Sequence, residues 1–493
     1  MRTFSLTKDQ KLSLGLGLLG VFIASLNQTI LSPALPSIMR TMTITASQGQ
    51  WFTTIFLLTN GIMIPVTAYL TARFPFRHLY LTAMTIFTAG TLLAGLSTVF
   101  WQLLLARVLQ GMAFGILLPL IINLVMSVFP THKRGVAMGY VGIIFSAAPA
   151  VGPPLAGVII DNYGWNTVFL VLVPLLAADI LLAFFMMPKS GKTARPVLDL
   201  PSVVLSALGF GTLLYAFSVS GTRGWLSPVV IGGTAFGLVM TGIFLRRQGQ
   251  IDHPLLRVDV FCQRQFSVGT LLSMLVNAGL IAGTIATPIY LQQVVGYSAF
   301  KASLVMLPAF IFSIGASPAI GAFFDRRGLR GLAITGFVIQ LIATLLFLSF
   351  QADSPFWYLS TMYTARVIGM TLVMSPLNTW SLNALPQQLI SHGNAFSATL
   401  RQVAASLGTA VIISIMTITT MTNANLGTTL ATLKGFHMAF LANAVLIAIS
   451  LIIVLTQVKK SDSSVRGKAL RRSTSKQGKR PTTTINRIQA QAF

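Results

Sequence analysis

The sequence predicts an all-α polytopic membrane protein. Only 9% of its 493 residues are charged, whereas 54% are hydrophobic and the mean hydropathy is +0.78. An ordinary soluble domain carries about 25% charged residues, so most of this surface is not built to face water. The apolar residues also come in long blocks: segments 12–31 and 51–70 contain no charged side chain. About 20 such residues span a bilayer core as a helix.

Fourteen segments of this kind follow one another along the chain. In lipid, every backbone amide must find its partner inside the segment, so each segment is expected to be helical. The predicted spans are 12–31, 51–71, 79–97, 101–126, 138–160, 165–186, 200–219, 229–245, 266–291, 303–324, 331–350, 356–382, 392–420 and 435–458.

The positions of the basic residues give an independent check on this number. An even number of spans puts both termini on one side of the membrane, so the loops should alternate in Lys and Arg content. The termini and the loops on their side hold 27 of the 34 Lys and Arg residues, the opposite loops hold four, and three lie inside spans. This alternation predicts a multi-pass protein of the inner (cytoplasmic) membrane with both termini in the cytoplasm.

The net charge of +25 does not indicate a nucleic-acid partner. A nucleic-acid binder gathers its basic residues on one face or groove. Here they fall in short clusters between apolar blocks and in the final segment 459–493, which suits anionic lipid headgroups. We expect that segment to be a disordered basic tail beside the bilayer, and we expect no nucleic-acid binding.

The sequence shows no catalytic or metal-binding pattern. The one cysteine, Cys262, excludes a disulfide framework, and the five histidines are scattered without metal-ligand spacing. No glycine-rich ATP-binding loop is present. We therefore expect no metal, no cofactor and no enzymatic activity, and a transport process that a gradient drives.

Two pairs of stretches echo each other in the two halves of the chain. The fourth span contains ARVLQGM at 106–112 and the twelfth contains ARVIGM at 365–370, while ARFPFR at 72–77 corresponds to DRRGLR at 325–330. Paired halves that enclose a site near the bilayer midplane are a common transporter plan. The predicted domains are a cytoplasmic N-terminus at 1–11, a six-helix bundle at 12–186, a linker with two inserted helices at 187–265, a second six-helix bundle at 266–458 and the tail at 459–493.

The loop after the tenth span carries the sharpest short motif, formed by Gly321, Asp325, Arg326, Gly328 and Arg330. It resembles the cytoplasmic signature of the major facilitator superfamily. Glycine permits close helix approach, and Asp with Arg can pair across helix ends. Breaking such a pair as the halves rock would give a two-state conformational latch. A plain positively charged cytoplasmic loop is the alternative.

The first-half copy of this loop departs from the pattern. Arg73 and Arg77 are present, but Ala72 stands where the Asp should be and Pro75 replaces a Gly. Any latch there is expected to be weaker or built differently.

Two further motifs lie inside spans. LARVLQG at 105–111 resembles the fourth-span signature of proton-coupled members, which implies a role in proton transfer for Arg107. A charge this deep is costly unless it faces a cavity or a partner; a structural arginine capped by carbonyls is the alternative. Gly152, Pro153 and Gly157 resemble the antiporter motif of drug:proton exporters, although Ala156 replaces its penultimate Gly.

Longer stretches narrow the resemblance to one family. DNYGW at 161–165, YLQQVVGYS at 290–298 and NAFS at 394–397 are similar to the fourteen-span drug:proton antiporter family of this superfamily. LNQTIL at 26–31 looks most like the lincomycin-resistance exporters. The resemblance covers about residues 12–458 and implies a major facilitator fold of two six-helix bundles plus two inserted central helices, with fourteen transmembrane helices in all.

The proton carrier is the weak point of this assignment. Many relatives carry an Asp in the first span where this chain has Asn27, which cannot take up and release a proton. Asp179 in the sixth span is the one carboxylate inside a predicted span, and an ionisable group there is a functional hypothesis by default. The alternative is a helix-end acid solvated by water or by Lys189. Asp199 is expected at the membrane interface.

Uncharged polar residues in or near the spans are candidates for the substrate cavity. Hydrogen bonding between helices is the competing interpretation for each of them. The candidates are Asn27, Gln28, Gln110, Asn123, Gln292 and Asn378.

These observations favour a secondary active multidrug exporter that exchanges small amphipathic compounds for protons and thereby gives antibiotic resistance. One alternative is an exporter of a single physiological solute, such as a lipid precursor or a siderophore. Another is a non-transporting membrane scaffold or sensor. The sequence leaves a separate periplasmic adaptor open as a partner.

Overall fold

The computed structural model describes residues 7–44, 46–188, 199–251 and 254–458. Within these residues the chain forms fourteen long α-helices and no β-strand. The helices are α1 Lys8–Met42, α2 Ala46–Arg73, α3 Phe76–Leu96, α4 Phe100–Val128, α5 Arg134–Tyr163, α6 Trp165–Met186, α7 Leu200–Arg223, α8 Pro228–Gln248, α9 Arg264–Gln293, α10 Ala299–Arg327, α11 Leu329–Leu346, α12 Phe356–Leu382, α13 Ile390–Thr422 and α14 Thr428–Gln457. Short 3₁₀ turns lie at Thr131–Lys133, Val258–Cys262, Phe347–Ser349, Gln387–Leu389 and Ala424–Leu426.

Each of the fourteen predicted spans lies on one of these helices, which confirms the predicted fold class. Thirteen of the helices are long and apolar enough to cross a membrane. The remaining one, α12, is less apolar because it contains Arg366, Asn378 and several hydroxyl side chains. The predicted tail at 459–493 and Lys189 lie outside the described residues.

The largest difference from the predicted spans is at the end of α1. The span was expected to end at residue 31, but the helix continues to Met42. Thr43 then ends it, with φ at 51° and its backbone N–H donating to the Met39 carbonyl. A left-handed residue at this position is a common helix terminator. Hydropathy marks the part of a helix that lies in lipid and does not mark where its hydrogen bonding stops.

The helices fall into two groups with an extra pair between them. Helices α1–α6 pack on one another and are called the first bundle below; α9–α14 do the same and are called the second bundle. The largest apolar cluster lies mainly in the first bundle and continues across to the last residue of α12 and the first turns of α13. Two separate apolar clusters fill the second bundle.

The inserted helices α7 and α8 pack on each other and differ in their surroundings. α7 contacts α2 of the first bundle and α13 of the second, so it lies along one line of contact between them. α8 is largely uncovered, and Leu238 and Val239 are exposed on it. Exposed leucine, valine and phenylalanine side chains occur on most of the helices, which is the surface expected where lipid takes the place of water.

Contacts between helix ends show which ends lie on the same side of the molecule. Arg264 at the start of α9 donates to Gln457 at the end of α14 (2.5 Å), and Arg247 at the end of α8 contacts Asp199 before α7 (2.7 Å). The side on which α1 begins and α14 ends is called the terminal side below, and the opposite side is called the far side.

Candidate functional site

Arg107 lies at the centre of a buried polar cluster in the first bundle. Its side chain is only 1% exposed, and its guanidinium Nη1 donates to Gln110 Oε1 (2.9 Å) and to Asn27 Oδ1 (3.4 Å). Asn27 and Gln110 each donate in turn to the Thr91 hydroxyl (3.1 Å). The guanidinium also lies 5.2 Å from the ring centre of Phe169. The cluster thus joins α1, α3, α4 and α6.

The Arg107 cluster does not provide a hydrogen-bond acceptor for every nitrogen of the guanidinium. Its Nε and Nη2 atoms have no hydrogen-bond partner among the described residues. A buried charge without a counter-charge is costly, and arginine cannot lose its proton to avoid the cost. The carbonyl oxygens that accept from Arg107 belong to the side-chain amides of Asn27 and Gln110, so a structural role for this arginine stays an alternative to a role in proton transfer.

The second bundle has an equivalent arginine with different hydrogen-bond partners. Arg366 on α12 is equally buried and donates through Nη2 to the Gly279 carbonyl of α9 (3.1 Å). Phe440 of α14 lies beneath its guanidinium at 5.5 Å, and Asn443 donates to the same Gly279 carbonyl (3.3 Å). The internal repeat seen in the sequence thus places one buried arginine in each bundle, with side-chain partners in one and a backbone partner in the other.

Asp179 is fully enclosed by the first bundle. Its carboxyl group is 1% exposed and contacts the Tyr80 hydroxyl, with Oδ2 2.6 Å from the Tyr80 oxygen. Gly20 of α1 makes room for this pair, since a Cβ there would lie 2.0 Å from the Tyr80 oxygen. Asp179 is therefore closed off from water in this conformation, while Lys189, the other group considered for its solvation, lies outside the described residues.

The hydrogen bonds around Tyr80 bear on the protonation of Asp179. The Tyr80 oxygen also lies 2.9 Å from the Leu16 carbonyl oxygen. A tyrosine hydroxyl has one hydrogen, whereas an ionised carboxylate and a carbonyl can only accept. Each contact can be a full hydrogen bond if Asp179 is protonated and donates to Tyr80 while Tyr80 donates to Leu16; with an ionised Asp179, the Tyr80 hydroxyl would have to share its one hydrogen between two acceptors. The geometry therefore suits a neutral Asp179, whose other oxygen has no described partner.

The two bundles meet most closely along α5 and α10, on the terminal side. A Cβ at Gly321 would lie 2.1 Å from the Gly135 carbonyl oxygen, and one at Gly139 would lie 2.6 Å from the Ser317 carbonyl oxygen. Glycine at these positions lets two helix backbones touch, as in small-residue packing of membrane helices. This contact between α5 and α10 is called the closed seam below.

Asp325 fastens the closed seam by capping a helix of the other bundle. Its Oδ1 accepts from the Gly135 backbone N–H (2.9 Å) and its Oδ2 from that of Val136 (3.0 Å). These N–H groups belong to the first turn of α5 and have no partner within that helix. A carboxylate there also interacts favourably with the positive end of the helix dipole.

Arg134 adds a second set of bonds between the bundles at the same level. Its guanidinium donates to Asn383 (3.1 Å) and Gln387 (2.9 Å) of the second bundle, and to the Phe129 carbonyl (3.1 Å) of its own. Nearby, the Asn394 amide donates to Asn123 Oδ1 (2.9 Å). These bonds lie at the terminal ends of α4, α5, α12 and α13, so the two bundles are joined there.

The basic residues of the latch motif have other surroundings. Arg326 is exposed and Arg330 is partly buried, while Gly328 separates α10 from α11 with φ at 78°, a conformation that favours glycine. Arg77 donates to the Phe184 carbonyl within the first bundle, and Arg73 ends α2, partly buried. The first-half copy therefore makes a contact inside its bundle through Arg77, as expected for a loop built differently.

The antiporter motif lies where α5 crosses α1. A Cβ at Gly152 would lie 2.1 Å from the Thr29 hydroxyl, and this hydroxyl donates to the Ala148 carbonyl (3.2 Å). Pro153 lies inside the helix, where it removes one backbone hydrogen bond. A Cβ at Gly157 meets nothing within 4 Å. Of the two glycines, Gly152 is the one that the packing requires.

The candidate cavity residues do not form one group. Asn27 and Gln110 belong to the Arg107 cluster, and Asn123 belongs to the contact with Asn394. Asn378 accepts from Arg401 of α13 (2.9 Å). Gln28 is half-buried on α1, and Gln292 is exposed in the last turn of α9.

Several residues of these sites were not singled out from the sequence. Tyr80 lies one turn after Arg77, but an intramembrane tyrosine is too common to signal a partner for Asp179. Gly135 and Gly139 form a small-xxx-small pattern next to Arg134, and that pattern is a readable signal for close helix packing. Arg401 is one of the three basic residues that the sequence places inside spans, and no role was predicted for it.

Comparisons with known proteins bear on the family and the fold of this chain. The sequence model of the Major Facilitator Superfamily matches residues 17–409. The chain is 40% identical over 454 residues to the Uncharacterized MFS-type transporter YcnB of Bacillus subtilis, covering 92% of this chain and 96% of that protein. It is 35% identical over 399 residues to the Lincomycin resistance protein LmrB of Listeria innocua, covering 81% and 85%.

A solved structure has the same fold. The human organic anion transporter MFSD10 (TETRAN) superposes with a TM-score of 0.64 at 14% sequence identity, covering 91% of this chain and 100% of that one. At this identity the likeness concerns the fold alone.

Proposed function

The chain belongs to the major facilitator superfamily and is a multi-pass membrane transporter, and from that premise we propose that it exports amphipathic drugs in exchange for protons. The two bundles would rock about the line between them and open the space they enclose to one side of the membrane at a time. The terminal side would face the cytoplasm, as the distribution of basic residues predicts. The state described here, with the closed seam joined on the terminal side, would then be the one that is shut toward the cytoplasm.

The observation that carries the proton-coupling proposal is the enclosed Asp179–Tyr80 pair. A carboxyl group that is 1% exposed inside a membrane bundle, bonded in a way that suits its protonated form, has the features of a proton-binding group. The Asp that many relatives carry in the first span is replaced here by Asn27, so Asp179 would take over the carrier role. Release of its proton would require water to reach it in the other conformation.

Arg107 would tune this step through its charge. It lies in the same bundle as Asp179, and α1 and α3 each contribute to both clusters: Asn27 and Gly20 from α1, and Thr91 and Tyr80 from α3. A movement of α1 during rocking would therefore alter both sites together. Gly152 would permit that movement, because without a side chain it lets α1 and α5 pack closely and slide past each other.

Expression in an efflux-deficient host, together with inverted membrane vesicles, tests the proposal. The wild type is compared with Asp179→Asn and Arg107→Ala for tolerance to a set of unrelated cationic, neutral and acidic drugs, and for proton release when drug is added to energised vesicles. An asparagine at 179 can donate to Tyr80 as a protonated carboxyl does, so this variant should fold. We expect it to lose drug-dependent proton release, and we expect Arg107→Ala to lower it.

Asp259→Asn is the matched control, because that aspartate is exposed in the loop before α9 and pairs only with nearby Arg257. It should behave as the wild type. Proton release that is unchanged in Asp179→Asn would remove Asp179 as the carrier and leave the exporter proposal standing. A wild type that gives tolerance to no drug would remove the exporter proposal.

A dedicated exporter of one solute, such as a lipid precursor or a siderophore, predicts a different resistance profile. Tolerance to several unrelated drugs would contradict it, whereas tolerance to none with a growth defect on gene deletion would favour it. A scaffold or sensor predicts no drug-dependent proton movement in either vesicle orientation. Co-purification with a periplasmic protein would test an adaptor partner.

A further inference from the structure

Three arginines lie inside the predicted spans of a chain whose interior is short of negative charge. Arg107 and Arg366 are 1% exposed, and Arg401 on α13 is partly buried. Within the described residues none of the three contacts a carboxylate; their partners are amide, hydroxyl and carbonyl oxygens. Asp179, the one acid inside a predicted span, is engaged with Tyr80 in a geometry that suits its neutral form.

Of these three arginines, Arg401 shares a helix face with a residue that contacts the other bundle. It follows Asn394 by two helical turns and therefore lies on nearly the same face of α13. Asn394 on that face bonds to Asn123 and to the Pro119 carbonyl of α4, in the first bundle. At 1.5 Å per residue, Arg401 stands about 16 Å along α13 from Ile390, which is near mid-membrane.

The immediate partners of Arg401 hold it without neutralising it. Its Nη1 donates to Asn378 Oδ1 and to the Ser397 hydroxyl, both at 2.9 Å. Two neutral acceptors orient the guanidinium fork, and the charge stays uncompensated. A guanidinium fork in this state is suited to bind a carboxylate or another planar anion through paired hydrogen bonds.

We propose that the substrate of this transporter carries an acidic group and that Arg401 receives this group between the bundles. The proposal rests on the exporter function and names its substrate class: amphipathic aromatic or aliphatic acids. Arg107 and Arg366, one in each bundle, contribute a positive potential on both sides of the site without contacting the ligand.

A set of three probes with one skeleton and three charges tests the substrate class. Purified full-length protein is mixed with 2-naphthoate, neutral 2-naphthamide or cationic 2-naphthylmethylammonium, and the thermal unfolding midpoint is measured against probe concentration. A ligand that binds only the folded protein raises the midpoint by mass action. We expect 2-naphthoate to raise it at the lowest concentration and the cation to leave it unchanged.

Three variants test the residue. Arg401→Gln removes the charge and should weaken 2-naphthoate binding about tenfold or more, since a charge-assisted hydrogen-bond pair is lost. Arg401→Lys keeps the charge but not the fork, so it should retain part of the affinity. Asn378→Asp places a carboxylate of the same shape against Arg401 and should weaken 2-naphthoate binding without disturbing the packing. Arg246→Gln, an exposed position on α8, is the matched control.

The outcomes separate this proposal from the exporter proposal, because the readout is binding. Selective binding of 2-naphthoate that is lost in Arg401→Gln and Asn378→Asp supports it even if coupling to protons fails. Equal binding of all three probes, preference for the cation, no binding of 2-naphthoate, or full affinity in Asn378→Asp overturns it. Drug export with no acid preference in vesicles would overturn it while leaving the exporter function intact.

Discussion

The two lines of contact between the bundles occupy equivalent places in the repeat but are built differently. In the closed seam, α5 and α10 touch backbone to backbone at Gly135 and Gly321, and Asp325 caps α5. In the other, between α2 and α13 and called the bridged seam here, Ala72 stands at the position equivalent to Asp325. The bridged seam therefore lacks the carboxylate that joins the bundles in the closed one.

In the bridged seam, side chains of α7 take the place of close backbone contact. The Thr54 hydroxyl of α2 lies 2.9 Å from that of Ser218 on α7, and Ser406 of α13 donates to the Leu214 carbonyl of α7 (3.5 Å). Beyond the helix end, the Trp225 indole donates to the Ser414 hydroxyl (2.8 Å). The inserted helix thus supplies contacts to both bundles along the seam whose latch loop lacks the acid, although these contacts lie at mid-helix and toward the far side.

The difference indicates where each conformational change is controlled. A seam held by backbone contact and a carboxylate on a helix end has one good geometry, so it suits a two-state latch. A seam held by side chains and a third helix can adjust gradually. We infer that the closed seam sets the equilibrium between the two states and that the bridged seam follows it.

The largest effect is expected from Gly321→Ala. The added methyl would lie 2.1 Å from a backbone oxygen that cannot move aside by changing rotamer, so α5 and α10 must separate. Overpacking of this kind costs about 1–3 kcal/mol, and here we expect the upper part of that range. Hydrogen–deuterium exchange of the first turn of α5 should accelerate, and drug export should fall.

Gly61→Ala is the matched control in the bridged seam. Its methyl would meet the Leu214 Cδ1 atom at 2.4 Å and the Gln402 Cγ atom at 3.5 Å, both of which belong to side chains that can move. We expect little change in exchange or export. Equal loss of export in the two variants would mean that the seams do not differ as described.

Asp325→Asn should have the next largest effect. Asparagine keeps one acceptor oxygen but loses the charge, so one bond to Gly135 or Val136 and the interaction with the helix dipole are lost. Losing one charge-assisted hydrogen bond and the interaction with the helix dipole should destabilise the state with the closed seam by about 1–2 kcal/mol relative to the open one. The check is faster amide exchange at 135–136 with the rest of α5 unchanged.

Ala72→Asp supplies the missing acid to the bridged seam and completes that comparison. If the carboxylate is what distinguishes the seams, slower exchange in the first turn of α13 should follow. Unchanged exchange in both variants would show that glycine packing alone holds the closed seam.

The smallest effect is expected from Asp199→Asn, which loosens α7 from α8 and so tests the bridged seam indirectly. Hydrogen bonds from Arg247 hold the pKa of Asp199 at about 2, below its ordinary value of 3.8. A lowered pKa in the folded state means that the pair stabilises at pH values above 3.8 and that the contribution is lost as pH falls toward 2.

Because the Arg247 side chain is 39% exposed, the loss should be only about 0.5 kcal/mol. The thermal unfolding midpoint should drop slightly and by the same amount at pH 5 and pH 8. A difference that disappears at pH 5 would contradict the assignment of this pair.

The membrane fold was predictable because its cause acts on each segment separately. A run of apolar residues must be helical in lipid whatever its neighbours are, and loop charges fix the alternation of sides independently. Candidate positions with an unusual chemistry could be picked out for the same reason: Arg107, Asp179 and Asp325 are charges at depths or helix ends where charges are costly. The apolar part of α1 ends at Leu31, as the predicted span does, whereas the end of the helix itself is decided by Thr43, a single left-handed residue.

The sequence by itself therefore determined the helices, their number and the charged residues that deserve a test. Only the tertiary structure decided what those residues contact: Asn27 beside Arg107, Tyr80 beside Asp179, and the first turn of α5 beside Asp325. The physical reason is the range of the interactions involved. Burial in lipid is a property of one segment, whereas a hydrogen bond or a backbone contact between helices depends on the rotation and approach of both partners, which no single segment encodes.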